Sequence, residues 1–231
     1  MDLSEKSKTI RRKTLEYHEK QGWGHVGSSM SIIEILTSLY YHLMKPEDKF
    51  ILSKGHAAPA LYVTLNEKNI LSTEKMLKLE EHPSINKDFG IEATTGSLGH
   101  GLGIGLGMAF ASPDKNIFVL LGDGECEEGS VWETARLASE LRQNNLIAIV
   151  DCNGFQGFKE SSRKIGRKFN AFGWEVRECN GHECNELIKC INPKSKNPRV
   201  ILARTIKGRG VKRMENQLNS HYEKLTKEDL K

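Results

Sequence analysis

The 231-residue chain has no stretch approaching the roughly 20 consecutive apolar residues that a membrane-spanning helix needs, which excludes that class. The opening residues, MDLSEKSKTIRRKTLEYHEK, mix acids and bases and lack an apolar segment followed by a small-residue cleavage site, so no secretory signal is expected in them. A disulfide framework is excluded too. Five cysteines are an odd number, and reduced thiols in a soluble, cytoplasmic protein are the expectation. Cys179, His182, Cys184 and Cys190 cluster, but without a Cys-x2-Cys knuckle and at a spacing that suits no common zinc pattern. Internal repeats, low-complexity tracts and Pro/Gly/Ser linkers are also missing. Residues 1–231 are therefore expected to form a single domain, a length that one core can serve. The net charge of +4 is concentrated at 163–168 and 204–213. No aromatic interleaving or recognition-helix pattern accompanies these runs, so nucleic acid is not an expected partner; a solvated face or a loop beside phosphates is.

Hydrophobic periodicity supplies the elements. Residues 3–20 predict a charged helix, 31–43 (SIIEILTSLYYHL) a largely buried one, 50–53 a short strand, 55–66 an Ala- and Leu-rich helix and 73–80 a short exposed helix. After Gly96 the character changes: compact apolar runs at 117–122, 146–151, 174–179 and 199–204 are separated by helical segments. Continuous hydrophobicity means burial on both faces, as in a parallel sheet covered by helices. Strands joined by helix-length connections make right-handed crossovers, giving a doubly wound, mainly parallel α/β sheet. Ligands of such folds sit beyond the carboxyl ends of the strands.

The strongest signal lies there. A strand, IFVLL, turns sharply through Gly122-Asp123-Gly124; a helix follows from about Ser130; a second strand ends at Asp151 with Asn153 just beyond it. Glycines permit close main-chain approach to a diphosphate, and a nearby helix start supplies partial positive charge. Asp123, the Asn153 side-chain carbonyl and a main-chain carbonyl near Phe155 are hard oxygen ligands suited to Mg2+ or Ca2+. Alone, GDG is only a tight turn. Paired with an Asn about thirty residues on, at the next strand end, it resembles the thiamine-diphosphate-binding motif. In that motif Asp123, Asn153 and Phe155 would hold the metal that clamps the diphosphate, although Cys152 stands where a second Asn is common.

Histidine segments narrow the resemblance to the transketolase family. Gly24-His25-Val26-Gly27-Ser28 resembles its GHPG segment, and Ser53-Lys54-Gly55-His56-Ala57 its S-x-G-H-A segment. Glu81-His82-Pro83 is similar to GHPE without its Gly and Glu. Residues 94–101 (TTGSLGHG) resemble TTGPLGQG. Met214-Glu215-Asn216 with His221 resembles the late MEN...WH segment of short N-terminal subunits, here without the flanking Trp and Gly. The resemblance implies a thiamine-diphosphate-binding fold of the PP type. His25, His56 and His221 would line the donor and diphosphate region, and His82 would contact the donor hydroxyls. His56, Gly96 and Leu98 would touch the cofactor, and Gly124 would donate its N–H to the diphosphate. Glu128 matches an acid buried between two active sites.

The implied activity is transfer of a two-carbon ketol unit from a ketose (phosphate) donor to an aldose. The cofactor serves as electron sink, while imidazoles titrating near neutrality manage protons. The pyrimidine-binding domain of the family is not found in these 231 residues. A separate C-terminal subunit carrying it is therefore the implied partner, in a heterotetramer of two plus two. The segment GLGIGLGMAFA (101–111) is either part of the pairing face or core packing. Two alternatives remain: a diphosphate-binding subunit of a 2-oxoacid dehydrogenase, against which the histidines at 25, 56 and 82 speak, and a non-catalytic cofactor-binding subunit.

Overall fold

The structure, a computed structural model, describes residues 2–156, 159–160 and 164–230; Arg163, at the edge of one basic run, and the terminal residues 1 and 231 of the expected domain lie outside them. Helix α1 (Leu3–Gln21) starts where the Asp2 carboxylate accepts the Ser4 amide at 2.9 Å. It stops at Gly22, which takes the left-handed conformation at φ 65°. Next come α2 (Val26–Met30), α3 (Ile33–Ser38), β1 (Lys49–Leu52), α4 (Ala58–Glu67), α5 (Thr73–Met76) and α6 (His100–Ala111). The second half contains β2 (Ile117–Gly122), α7 (Gly129–Glu140), β3 (Leu146–Cys152), the two-residue strands β4 (Phe155–Gln156) and β5 (Lys159–Glu160), α8 (Ile165–Ala171), β6 (Glu175–Asn180), α9 (Cys184–Ile191) and β7 (Arg199–Arg204).

Five strands form a parallel sheet in the order β1-β2-β3-β7-β6, and β4 pairs antiparallel with β5. Successive residues of the central strands alternate between two cores. Phe118, Leu120, Ile147 and Ile149 face α1 to α4 and α9; Val119, Leu121, Ala148 and Val150 face α6, α7 and α8. Burial on both sides is what the unbroken apolar runs require. Register sets Gly122 beside Asp151 and Cys152 beside Arg204, so the carboxyl ends of β2, β3 and β7 lie level along one edge.

Three expected elements differ. The helix predicted over 31–43 is one short helix, α3, followed by a π-helical turn over Leu39–Leu43. It starts two residues late: Ser31 closes α2 and its hydroxyl donates to Asp151 at 2.6 Å, and Ile32, at φ −107° and ψ 6°, is where the backbone leaves the helical conformation. The exposed helix predicted for 73–80 ends at Met76. The run at 174–179 is an edge strand, β6, displaced by one residue; its charged side chains face solvent in part, and the buried Trp174 precedes it. Helix α6 buries Gly101, Leu102, Gly105, Leu106 and Ala109 while Ile104 and Phe110 stay exposed, so 101–111 is core packing on one side and a bare apolar face on the other. Among the described residues no helix is long and apolar enough to cross a membrane.

Candidate active site

The loops leaving β1, β2, β3 and β7 enclose a cleft of about 480 Å³. His25, His56, His82 and His221 line it, together with Gly96, Leu98, Asp123, Gly124, Glu128, Asn153 and Phe155. The structure therefore gathers every predicted site residue around one cavity. Local geometry explains how. Gly96, at φ 149°, leaves room for the His82 ring, whose Cδ2 would lie 3.0 Å from a β-carbon at that position. Gly101, at the start of α6, lies against Ser53, and a β-carbon there would come within 2.8 Å of the Ser53 Cα.

The four imidazoles form one cluster. The centroid of His25 lies 5.3 Å from His56, 6.2 Å from His82 and 5.0 Å from His221, and His56 and His221 are 5.8 Å apart. Tyr222 stands edge-on to both His25 and His221, at 5.2 and 4.6 Å. Burial, then the Lys54 charge and the neighbouring histidines, pushes His56 well below the ordinary imidazole value. Burial and then Lys207 lower His221 to about 4. Near neutrality both rings are uncharged and able to exchange protons.

At the strand ends, Asp123 ties two segments together: Oδ1 accepts the Gly124 amide at 2.9 Å and Oδ2 the Gly154 amide at 2.7 Å. The Asn153 side-chain oxygen accepts the Phe155 amide at 3.1 Å, while its Nδ2 donates to Asp151 at 2.9 Å. Among the described residues no group of three or more His, Cys, Asp or Glu side chains is placed to hold a metal. The predicted set has a single carboxylate, so that finding does not bear on it. Glu128 is exposed at the cleft rim in this single chain.

Several residues of the site escaped the sequence reading. Lys54 and Asp151 form an ion pair of 2.6 Å, with side chains 1% and 0% exposed. Burial alone would raise the Asp151 carboxyl, but the Lys54 charge and hydrogen bonds from Lys54, Ser31 and Thr205 hold it below its usual value. Lys207, 1% exposed, stands over the Phe155 ring at 5.3 Å and 3.5 Å from His221 Nδ1. Burial, then Lys54, lowers its ammonium to about 8, with Asp123 acting the other way. Glu125, 2% exposed, accepts the Ser53 hydroxyl, the Gly99 amide at 2.8 Å and the Gly122 amide at 3.1 Å, and burial raises its carboxyl. Lys54 and Lys207 were visible only as members of the SKGHA segment and of the basic run at 204–213. Elsewhere that run is a solvated face, with Arg204 paired to Glu178 and Arg213 to Asp229 and Glu223. In the Cys/His cluster, His182 bonds Glu34 at 2.9 Å and accepts the Ile206 amide at 2.8 Å.

The Lys207 ammonium, buried over Phe155, and the Gly124 main chain make a cleft that can take a polyanion at the carboxyl edge of a doubly wound sheet. Such a cleft, ringed by four histidines, is the kind of site that holds a diphosphate cofactor. The family described as transketolase, thiamine diphosphate binding domain, matches residues 4–231, and the chain belongs to it. A 6-deoxy-6-sulfo-D-fructose transketolase subunit of a Clostridium strain is 38% identical over 99% of this chain and 93% of its own length. An apulose-4-phosphate transketolase subunit from Phocaeicola vulgatus is 38% identical over 95% of this chain and 88% of its own length. Transketolase from Campylobacter jejuni superimposes with a TM-score of 0.91 at 29% identity, covering 99% of this chain and 42% of that one. The chain thus spans most of the length of these subunits and about two fifths of a long transketolase. The family match sets aside the 2-oxoacid dehydrogenase alternative.

Proposed function

We propose that this chain is the diphosphate-binding half of a two-subunit transketolase that moves a two-carbon ketol unit from a ketose or ketose phosphate to an aldose. The observation that carries this reading is the convergence of His25, His56, His82 and His221 on the same cleft as Asp123, Gly124 and Asn153. When bound there, thiamine diphosphate would supply the electron sink that lets the ketol unit leave its donor. The residues present fit the group. Lys207 would offset part of the phosphate charge, Gly124 would bring its main chain against the diphosphate, and Gly96 and Leu98 would form the wall for the rings. Asp123, Asn153 and the Phe155 carbonyl are hard oxygens that would hold Mg2+ or Ca2+ across the diphosphate. His82 would contact the donor hydroxyls, and His25, His56 and His221 would line the donor and diphosphate region, where an imidazole can exchange a hydroxyl proton.

The remaining parts belong to the partner. The similar proteins from Clostridium and Phocaeicola are named as subunits, and this chain spans about two fifths of a long transketolase. We assign the rest to a C-terminal subunit with the pyrimidine-binding domain, in a heterotetramer of two plus two and a cytoplasmic setting. Residues 1–231 would act as a single domain in it. The exposed Ile104 and Phe110 of α6 supply apolar area for the contact, and Glu128, bare at the rim, would be buried by it. Neither nucleic acid nor membrane has a place in this scheme. A ketol-transfer assay with a ketose phosphate, run on this chain with and without its second subunit, tests the reading. Turnover only in the pair supports it; cofactor binding by the pair without turnover supports a non-catalytic subunit.

A further inference from the structure

Behind the donor-facing cluster lies a contact that the family segments do not contain. His25 occupies the left-handed region at φ 56°, a conformation that non-glycine residues hold only when the surroundings enforce it. Its Nδ1 is 2.9 Å from Glu81 Oε1, and both side chains are mostly sheltered, at 16% and 29% exposure. Glu81 stands where the similar GHPE segment has glycine, so the carboxylate is supplied by the departure itself. We propose that Glu81 is a positioning residue that fixes the tautomer of His25. A carboxylate oxygen only accepts, so Nδ1 carries the proton and donates it to Glu81. The neutral ring then has its lone pair on Nε2. His25 lines the cleft and Glu81 does not, so the edge opposite Glu81, with Nε2, is the one turned toward substrate. His25 is thereby set as a proton acceptor for a donor hydroxyl, oriented by a partner 56 residues away in sequence. Tyr222, edge-on at 5.2 Å, restrains the ring from the side.

The use of the ring rests on the transketolase reading; its tautomer does not, and the two are measured separately. Long-range 1H–15N correlation spectra of the full chain, labelled at its eight histidines, report which nitrogen carries hydrogen. His25→Asn identifies the signal. The expected result is a protonated Nδ1 and an unprotonated Nε2 in the parent chain, with Glu81→Ala moving the proton toward Nε2 and Glu81→Gln, whose amide oxygen can still accept, keeping it largely on Nδ1. An Nε2–H form in the parent, or a spectrum unchanged in Glu81→Ala, overturns the proposal. In the assembled pair, Glu81→Ala should lower kcat at least tenfold with thiamine diphosphate affinity within about twofold of the parent, in line with the loss seen when an imidazole loses its orienting partner. Equal loss of cofactor affinity and melting temperature, with kcat intact, would make Glu81 merely structural. Failure of turnover in every form, with the tautomer shift present, would refute the transketolase reading and leave the dyad standing.

Discussion

Lys54 and Asp151 show how charge is handled at the residue scale. Each is removed from water, and Ser31, Thr205, Asn153 and the Ser28 carbonyl complete their hydrogen bonds. Removing one partner leaves a buried, uncompensated charge, so Lys54→Met should lower unfolding free energy by about 3–5 kcal/mol in denaturant titration. Lys207→Met removes a cation from the cleft without orphaning an ion-pair partner. Thiamine diphosphate affinity should fall by about tenfold or more, since a charge-assisted contact contributes about 1.5–3 kcal/mol. The histidines fix the pH response. His18, fully buried against Ser29, and His221 are both lowered to about 4, His18 chiefly by burial. The folded chain therefore binds fewer protons than the unfolded chain between about 6.5 and about 4. Stability is full above that window and falls as pH drops through it. His18 contributes up to about 1.4 kcal/mol per pH unit, and the partly solvated His221 less. Melting temperature against pH should slope downward below about 6.5, and His18→Gln should flatten the slope.

Helices and strands differ in how far the sequence announces them. The runs at 117–122 and 199–204 coincide with β2 and β7 because strands buried on both faces are apolar throughout. β6 is an edge strand whose residues are all partly or fully exposed, with three charged side chains among six, and its limits shift by one residue. Over 31–43 the apolar pattern is helical, but the backbone leaves the helical conformation at Ile32 and turns π-helical from Leu39, which a burial pattern does not encode. The same distinction holds in the site. Asp123, Asn153 and the four histidines were legible because each belongs to a local segment. Glu81 facing His25, Lys54 facing Asp151 and Lys207 beside His221 arise from pairings made by the fold, which no local pattern encodes. At this scale α6 makes two predictions. Gly101→Ala crowds Ser53 and should lower stability by about 1–3 kcal/mol, measured as a shift in denaturation midpoint. Phe110→Glu, on the exposed face at 65% exposure, should leave the melting temperature of the lone chain unchanged while weakening association with the second subunit in analytical ultracentrifugation.

The whole molecule presents a finished cleft floor and an apolar flank, with its histidines already clustered at the carboxyl edge of the sheet. On the proposed reading, the diphosphate end of the cofactor would lie on this chain and its other end on the partner. Calorimetric titration of thiamine diphosphate with Mg2+ into this chain joined to its second subunit, beside the same pair carrying Asp123→Ala, tests that division most directly. Saturable binding by the parent pair that disappears in Asp123→Ala is the predicted result. Equal binding by both pairs would show that the diphosphate is held elsewhere and would contradict the assignment of this cleft.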